Sequence, residues 1–155
     1  MKKLLLIGLF VCLGSLTYAQ RCDTYYTSYS CRPSPQEAKD MILSSQSRGA
    51  ELEANKTYSF RVTFFRNMDY RLIFCAPQKF YPIHYVIKDA EEGNVLFDNK
   101  DDDYIESIGF TMENTTIVTI DVTLLAEGAK FKDFRQNRTC FGLPILYRRV
   151  EKIGF

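Results

Sequence analysis

The chain has 155 residues with 20 Lys+Arg against 19 Asp+Glu and a single histidine, for a formal net charge of +1. That balance lacks the basic excess or stripe that nucleic acid and anionic membranes require. With 46% hydrophobic residues, 12 Phe and 10 Tyr but no Trp, there is ample material for a packed core. The length suits one domain.

Residues 1–19 read as a secretory signal peptide. Lys2 and Lys3 form the charged start, Leu4 to Leu13 the apolar stretch, and Thr17-Tyr18-Ala19 a small-residue cut site before Gln20. The apolar run is shorter than the roughly 20 residues that span a bilayer, and no second run of spanning length occurs. Lipidation at Cys12 is the competing reading, but Val11 before it is larger than such cleavage prefers. Removing residues 1–19 takes two lysines and no acid, leaving 18 basic against 19 acidic residues and a formal charge of −1. Residues 20–155 are then one exported, disulfide-stabilised domain, periplasmic or extracellular.

Four cysteines remain, Cys22, Cys31, Cys75 and Cys140, an even number in an oxidising compartment. Closeness in sequence favours Cys22 with Cys31, which leaves Cys75 for Cys140. Zinc is a poor alternative, since there is no C-x-x-C spacing and His84 is the sole histidine. Between the first two cysteines, Tyr25, Tyr26 and Tyr29 form a loop that serves either as a partner-binding platform or as a flap over the sheet edge.

Ser34-Pro35-Gln36-Glu37 has the arrangement of a capping box with proline at the first helical position. A short helix is therefore expected, with Ala38, Met41 and Ile42 on its apolar stripe and an exit over Ser44 to Gly49. From Thr57 the period becomes two. Tyr58 to Phe64 and Tyr70 to Phe74, joined through Arg66-Asn67-Met68-Asp69, read as a hairpin. Further strands are expected at Ile83 to Lys88, Val95 to Phe97, Tyr104 to Met112, Ile117 to Leu125 and Cys140 to Val150, between Gly, Asn, Asp and Pro clusters. Val118, Ile120, Val122, Phe60, Val62 and Tyr85 fall in the apolar phase and should share one core. The pattern describes a mainly β fold, an antiparallel β-sandwich or jelly roll with one short N-terminal helix.

The Tyr-x-Phe-x-Val strand, the Asp-Tyr-x-Leu return and the Asp89…Gly93-Asn94-Val95-Leu96-Phe97-Asp98 unit resemble small exported bacterial β-sandwich modules, the bacterial pre-peptidase C-terminal domain among them. The closing Cys140-Phe141-Gly142…Tyr147-Arg148-Arg149 is similar to the ends of exported proteins of Bacteroidetes type. The resemblance covers about two-thirds of the mature chain. It implies an accessory or binding role and transfers no catalytic residue.

Candidate chemistry is sparse. His84 is the one group suited to general base work, but strand parity sets it opposite Ile83, Tyr85 and Ile87, and no G-x-S-x-G turn occurs. Asp98, Asp101 and Asp103 lie in an acidic loop with the oxygen donors that calcium takes, without the EF-hand glycine and distal glutamate. A solvated turn is the simpler reading of that loop. Sequons at Asn55, Asn114 and Asn137 fall at expected strand ends. The sequence thus points to a non-catalytic binding or accessory module for a protein or glycan, with no cofactor. The alternatives are an enzyme or enzyme inhibitor with a loop-built site, or a structural subunit of an envelope assembly.

Overall fold

A computed structural model describes residues 22–133 and 135–150; the expected signal peptide and Cys12 lie outside them. The strands are β1 (Ile42–Leu43), β2 (Arg48–Glu53), β3 (Thr57–Phe64), β4 (Met68–Ile73), β5 (Ile83–Asp89), β6 (Val95–Asp98), β7 (Ser107–Met112), β8 (Thr116–Leu124), β9 (Arg138–Leu143) and β10 (Ile145–Arg149). One sheet has the order β1-β10-β4-β7 and another β3-β8-β5-β6, while β2 pairs with β9. Every pairing among them is antiparallel. Cys75 bridges to Gly142, so β9 continues the first sheet past the end of β4. The result is the expected mainly β, sandwich-like fold.

Alternation placed the core correctly. Val118, Ile120, Val122 and Leu124 of β8 are buried, as are Val62 of β3 and Tyr85 of β5, while Phe60 is partly buried against them. Tyr85 stacks flat on Phe74 with ring centroids 3.6 Å apart, joining the two sheets. Burial of this kind is the dominant favourable contribution to folding, roughly 1.5–3 kcal/mol for each large apolar side chain.

The expected strand Cys140 to Val150 is two, β9 and β10, parted at Pro144 and paired in different sheets, and three larger expectations need correction. First, β3 and β4 are not a hairpin: β3 pairs with β8, and β4 lies in the other sheet between β10 and β7. The short link turns the chain from one sheet to the other, so Phe64 and Tyr70 meet across the interior with centroids 4.7 Å apart. Period-two alternation tells which side of a strand is apolar, but not which strand lies beside it.

Second, the helix does not form. The capping box is present, with Ser34 N–H donating to Glu37 Oε2 at 3.0 Å and Glu37 N–H to Ser34 Oγ at 3.2 Å. It closes only a turn, which ends at Asp40 with φ 60°. Ile42–Leu43 then pairs with Tyr147 and Leu146 as β1. A single helical turn fixes several dihedrals for one hydrogen bond, so a capping signal without room to propagate loses to the sheet. The expected helix exit likewise gives way to β2.

Third, the disulfides are Cys22–Cys140 and Cys31–Cys75, with Cα atoms 5.0 and 5.3 Å apart. Residues 22–31, folded into two 3-10 turns at Tyr25–Thr27 and Tyr29–Cys31, lie across β2 and β9. Gly49 and Gly142 face each other in that ladder. A Cβ on Gly49 would sit 1.9 Å from the Cys22 carbonyl oxygen, and one on Gly142 would sit 2.9 Å from Tyr26 Cα. The two glycines make the notch in which the segment rests. Each terminal cysteine therefore finds its partner in the sheet beneath it rather than in the other.

Candidate binding edge

The last strand of each four-stranded sheet, β6 in one and β7 in the other, borders one flank of the sandwich. The link between them is pinned by Asn99, which is fully buried. Its side chain accepts from Tyr85 N–H at 2.8 Å and donates to the carbonyls of Ile83 at 2.9 Å and Ile105 at 3.2 Å. This anchor ties the link to β5 and leaves the flank between the two edges open. There an apolar cleft of about 300 Å³ is lined by Leu96, Phe97, Ile108, Phe110, Met112 and Val118 among others. Leu96, which lines it, is 56% exposed.

Edge strands expose unpaired backbone groups, and soluble proteins protect them with charges, bulges or shortness. Here β1 has two residues, β2 carries Arg48, Glu51 and Glu53, and β3 carries Arg61. The four-residue β6 is irregular, with a register shift between Ile87 and Lys88 of its neighbour. In contrast β7 reads Ser-Ile-Gly-Phe-Thr-Met, with no charge, no proline and an unbroken register on β4. Phe74 N–H donates to the Glu106 carbonyl at 2.8 Å and Asn67 N–H to the Met112 carbonyl at 2.7 Å. Residues 106 and 112 thus face β4, and by alternation so do 108 and 110. Ser107, Gly109 and Thr111 turn their backbone N–H and C=O groups to the free side.

The outer side of β7 opens on a polar groove of about 540 Å³ whose lining includes Glu37, Lys39, Asp69, Arg71, Gly109 and Arg148. Arg71, the register partner of Gly109, lies over it, its guanidinium carbon 3.2 Å from where a Cβ would stand. Arg71 Nη1 donates to Ser107 Oγ at 3.1 Å and lies 3.6 Å from Glu37 Oε1. Asp69 accepts from the Thr111 hydroxyl and from Arg148 Nε, and these bonds hold its carboxyl below the ordinary value. Ser34 N–H is the chief cause of the similar lowering at Glu37.

The sequence-predicted residues are distributed elsewhere. His84 Nε2 and Asp98 Oδ1 are 2.8 Å apart, with the Tyr104 ring edge-on to the imidazole. Asp98 Oδ1 also accepts Lys100 N–H at 3.0 Å, so the pair fastens the β6 corner to β5. Asp101 lies in the 3-10 turn Asn99–Asp102, and Asp103 follows it in the left-handed region with φ 52°. Among the described residues, no three His, Cys, Asp or Glu side chains converge as a group able to hold a metal ion. Tyr25 and Tyr26 are half-buried in the segment over β2 and β9, while Tyr29 is 86% exposed beside Arg32. Asn55 and Asn114 are exposed, and Asn137 Nδ2 donates to Glu53 Oε1 at 3.4 Å. Gly109, Arg71 and Leu96 escaped the sequence reading, because only the sheet order brings them to one edge.

These carboxylates make acid stability testable. At Asp98 and Asp121 burial opposes ionisation, but hydrogen bonds from the Lys100 N–H and His84, and from Lys88 and Ser59, outweigh it and lower both. A lowered folded-state value means that the stabilisation is complete above the ordinary value of 3.8 and is lost as pH falls through the lowered one. Glu106, raised by burial, has the opposite sign, and its contribution is lost as pH rises through its folded value. Six lowered groups outnumber it, so Tm should hold between about pH 7 and 5 and fall below about pH 4. A Tm that rose steadily on acidification would contradict these pairings.

No protein-family model and no curated protein matches the chain. Among solved structures, the crystal structure of Aeromonas hydrophila PliG, a periplasmic lysozyme inhibitor of g-type lysozyme, superposes with a TM-score of 0.46 and 8% identity. The match covers 66% of this chain and 84% of that one, a likeness too slight to carry a function across. Among the described residues no helix is long and apolar enough to cross a membrane.

Proposed function

We propose that this chain is an exported, non-catalytic binding protein that accepts an extended segment of a partner protein as an added strand on β7. The observation that carries the reading is an uncharged edge of six residues, unpaired on one side among the described residues and bordered by an apolar cleft. Main-chain hydrogen bonds to Ser107, Gly109 and Thr111 would supply affinity, and side chains entering the cleft would supply selectivity. Two disulfides fit the oxidising compartment that export implies. Such an edge needs rigidity rather than reactive groups, and both disulfides, the Asn99 anchor and the His84–Asp98 pair provide it.

The test is selection of peptides from a random display library on the oxidised protein, followed by binding measurements with Gly109→Pro. The Gly109 N–H points away from β4, so proline there removes an outward donor without taking a bond from the sheet. Binding of the selected peptides should be abolished while Tm stays nearly constant. Leu96→Asp, on the exposed rim, should weaken the same peptides. Peptides that bind both variants as well as the parent protein would refute strand addition.

A further inference from the structure

We infer that the strand taken up by β7 alternates apolar with acidic side chains, with an acidic residue opposite Gly109. This rests on the strand-addition reading and states what the partner must look like. A strand added at about 4.8 Å from β7 sends successive side chains to the two sides that β7 itself separates. On the inner side they meet Leu96, Ile108 and Phe110, which accept apolar groups. On the outer side they meet the groove that contains Arg71.

The charge there is not balanced toward the free edge. The Asp69 carboxylate is engaged by Thr111 and Arg148, and that of Glu37 by Ser34 and Ser107, with Arg71 Nη1 at the longer distance of 3.6 Å. Arg71 uses Nη1 on Ser107, whereas Nε and Nη2 lie 3.3 Å from the space above Gly109 and have no hydrogen-bond partner among the described residues. Lys39 lines the same groove. Any larger residue at 109 would fill the space over which the guanidinium lies. Glycine instead lets the guanidinium lie flat against the strand with Nε and Nη2 unengaged, a pair of donors that a carboxylate accepts in bidentate fashion. A glutamate on the added strand opposite Gly109 has its Cα roughly 5 Å away and reaches that fork with its side chain extended.

Three short synthetic peptides that alternate valine with glutamate, glutamine or lysine provide the probes. The glutamate peptide should bind the intact oxidised protein about tenfold more tightly than the lysine peptide at low salt, with glutamine between them. Arg71→Gln should erase that order. Glu37→Gln, which removes the competing carboxylate, should strengthen the glutamate peptide. Equal binding of all three, with β7 amides still protected, would overturn the acidic preference and leave strand addition standing. Absence of β7 protection by any peptide would overturn both. Self-association of the chain through β7, seen by sedimentation and removed by Gly109→Pro, would make a second copy the occupant and also overturn the proposal.

Discussion

Val122→Asp should destabilise the protein by about 4 kcal/mol or more, a large share of the roughly 5–15 kcal/mol that holds a domain together. Val122 is fully buried on β8, an inner strand of its four-stranded sheet, with Tyr58 and Tyr85 as register partners on either side. A carboxylate there would displace apolar contact and carry its charge into the interior, away from water. Protonation to relieve the charge would still leave a buried hydroxyl and carbonyl to satisfy. Thr123, one residue later, faces outward beside His84 and shares a 2.8 Å hydroxyl contact with Thr57. Thr123→Asp should therefore cost less than about 1 kcal/mol. Urea titration of the two variants measures the difference directly, and equal midpoints would mean that β8 faces the other way.

The second large effect is expected at the covalently fastened N-terminal segment. Gly49→Ala puts a methyl group 1.9 Å from the Cys22 carbonyl and 2.8 Å from Tyr25 N. Those are backbone atoms held by the Cys22–Cys140 bond, so no side-chain rotation relieves the clash. The segment must lift or the β2–β9 ladder must bend, at about 1–3 kcal/mol. The double change Cys31→Ser with Cys75→Ser should cost about 2–5 kcal/mol by releasing the other end. Non-reducing peptide mapping of the parent protein should return Cys22–Cys140 and Cys31–Cys75. Recovery of Cys22–Cys31, or a Gly49→Ala protein as stable as the parent, would contradict the seating of this segment. Gly109→Ala is the informative contrast, because its Cβ meets only the movable end of Arg71.

What the sequence made legible was local. Alternation in Val118 to Leu124 and Ile83 to Ile87 reflects contact with water on one side, and it located the core side chains. Pairing is a long-range matter. Nothing within Arg48–Glu53 announces β9 as its partner, and the spacing of Cys22 and Cys31 conceals that a folded segment carries them to different strands. The capping box at Ser34 was read correctly as chemistry and wrongly as length. At the candidate site the composition of Ser107 to Met112 was visible as an uncharged run, but an uncharged run is ordinary in a central strand. It becomes informative only when β7 is seen to have, among the described residues, a neighbour on one side alone. The register that lays Arg71 over Gly109 likewise follows from pairing rather than from any motif.

Strand addition on β7 is tested most directly by hydrogen exchange at individual amides in a complex saturated with a selected peptide. The amides of Ser107, Gly109 and Thr111 should slow by about tenfold or more, while those of Ile108 and Phe110, already turned toward β4, should change little. A saturated complex in which Ser107, Gly109 and Thr111 exchange as fast as in the free protein would contradict it.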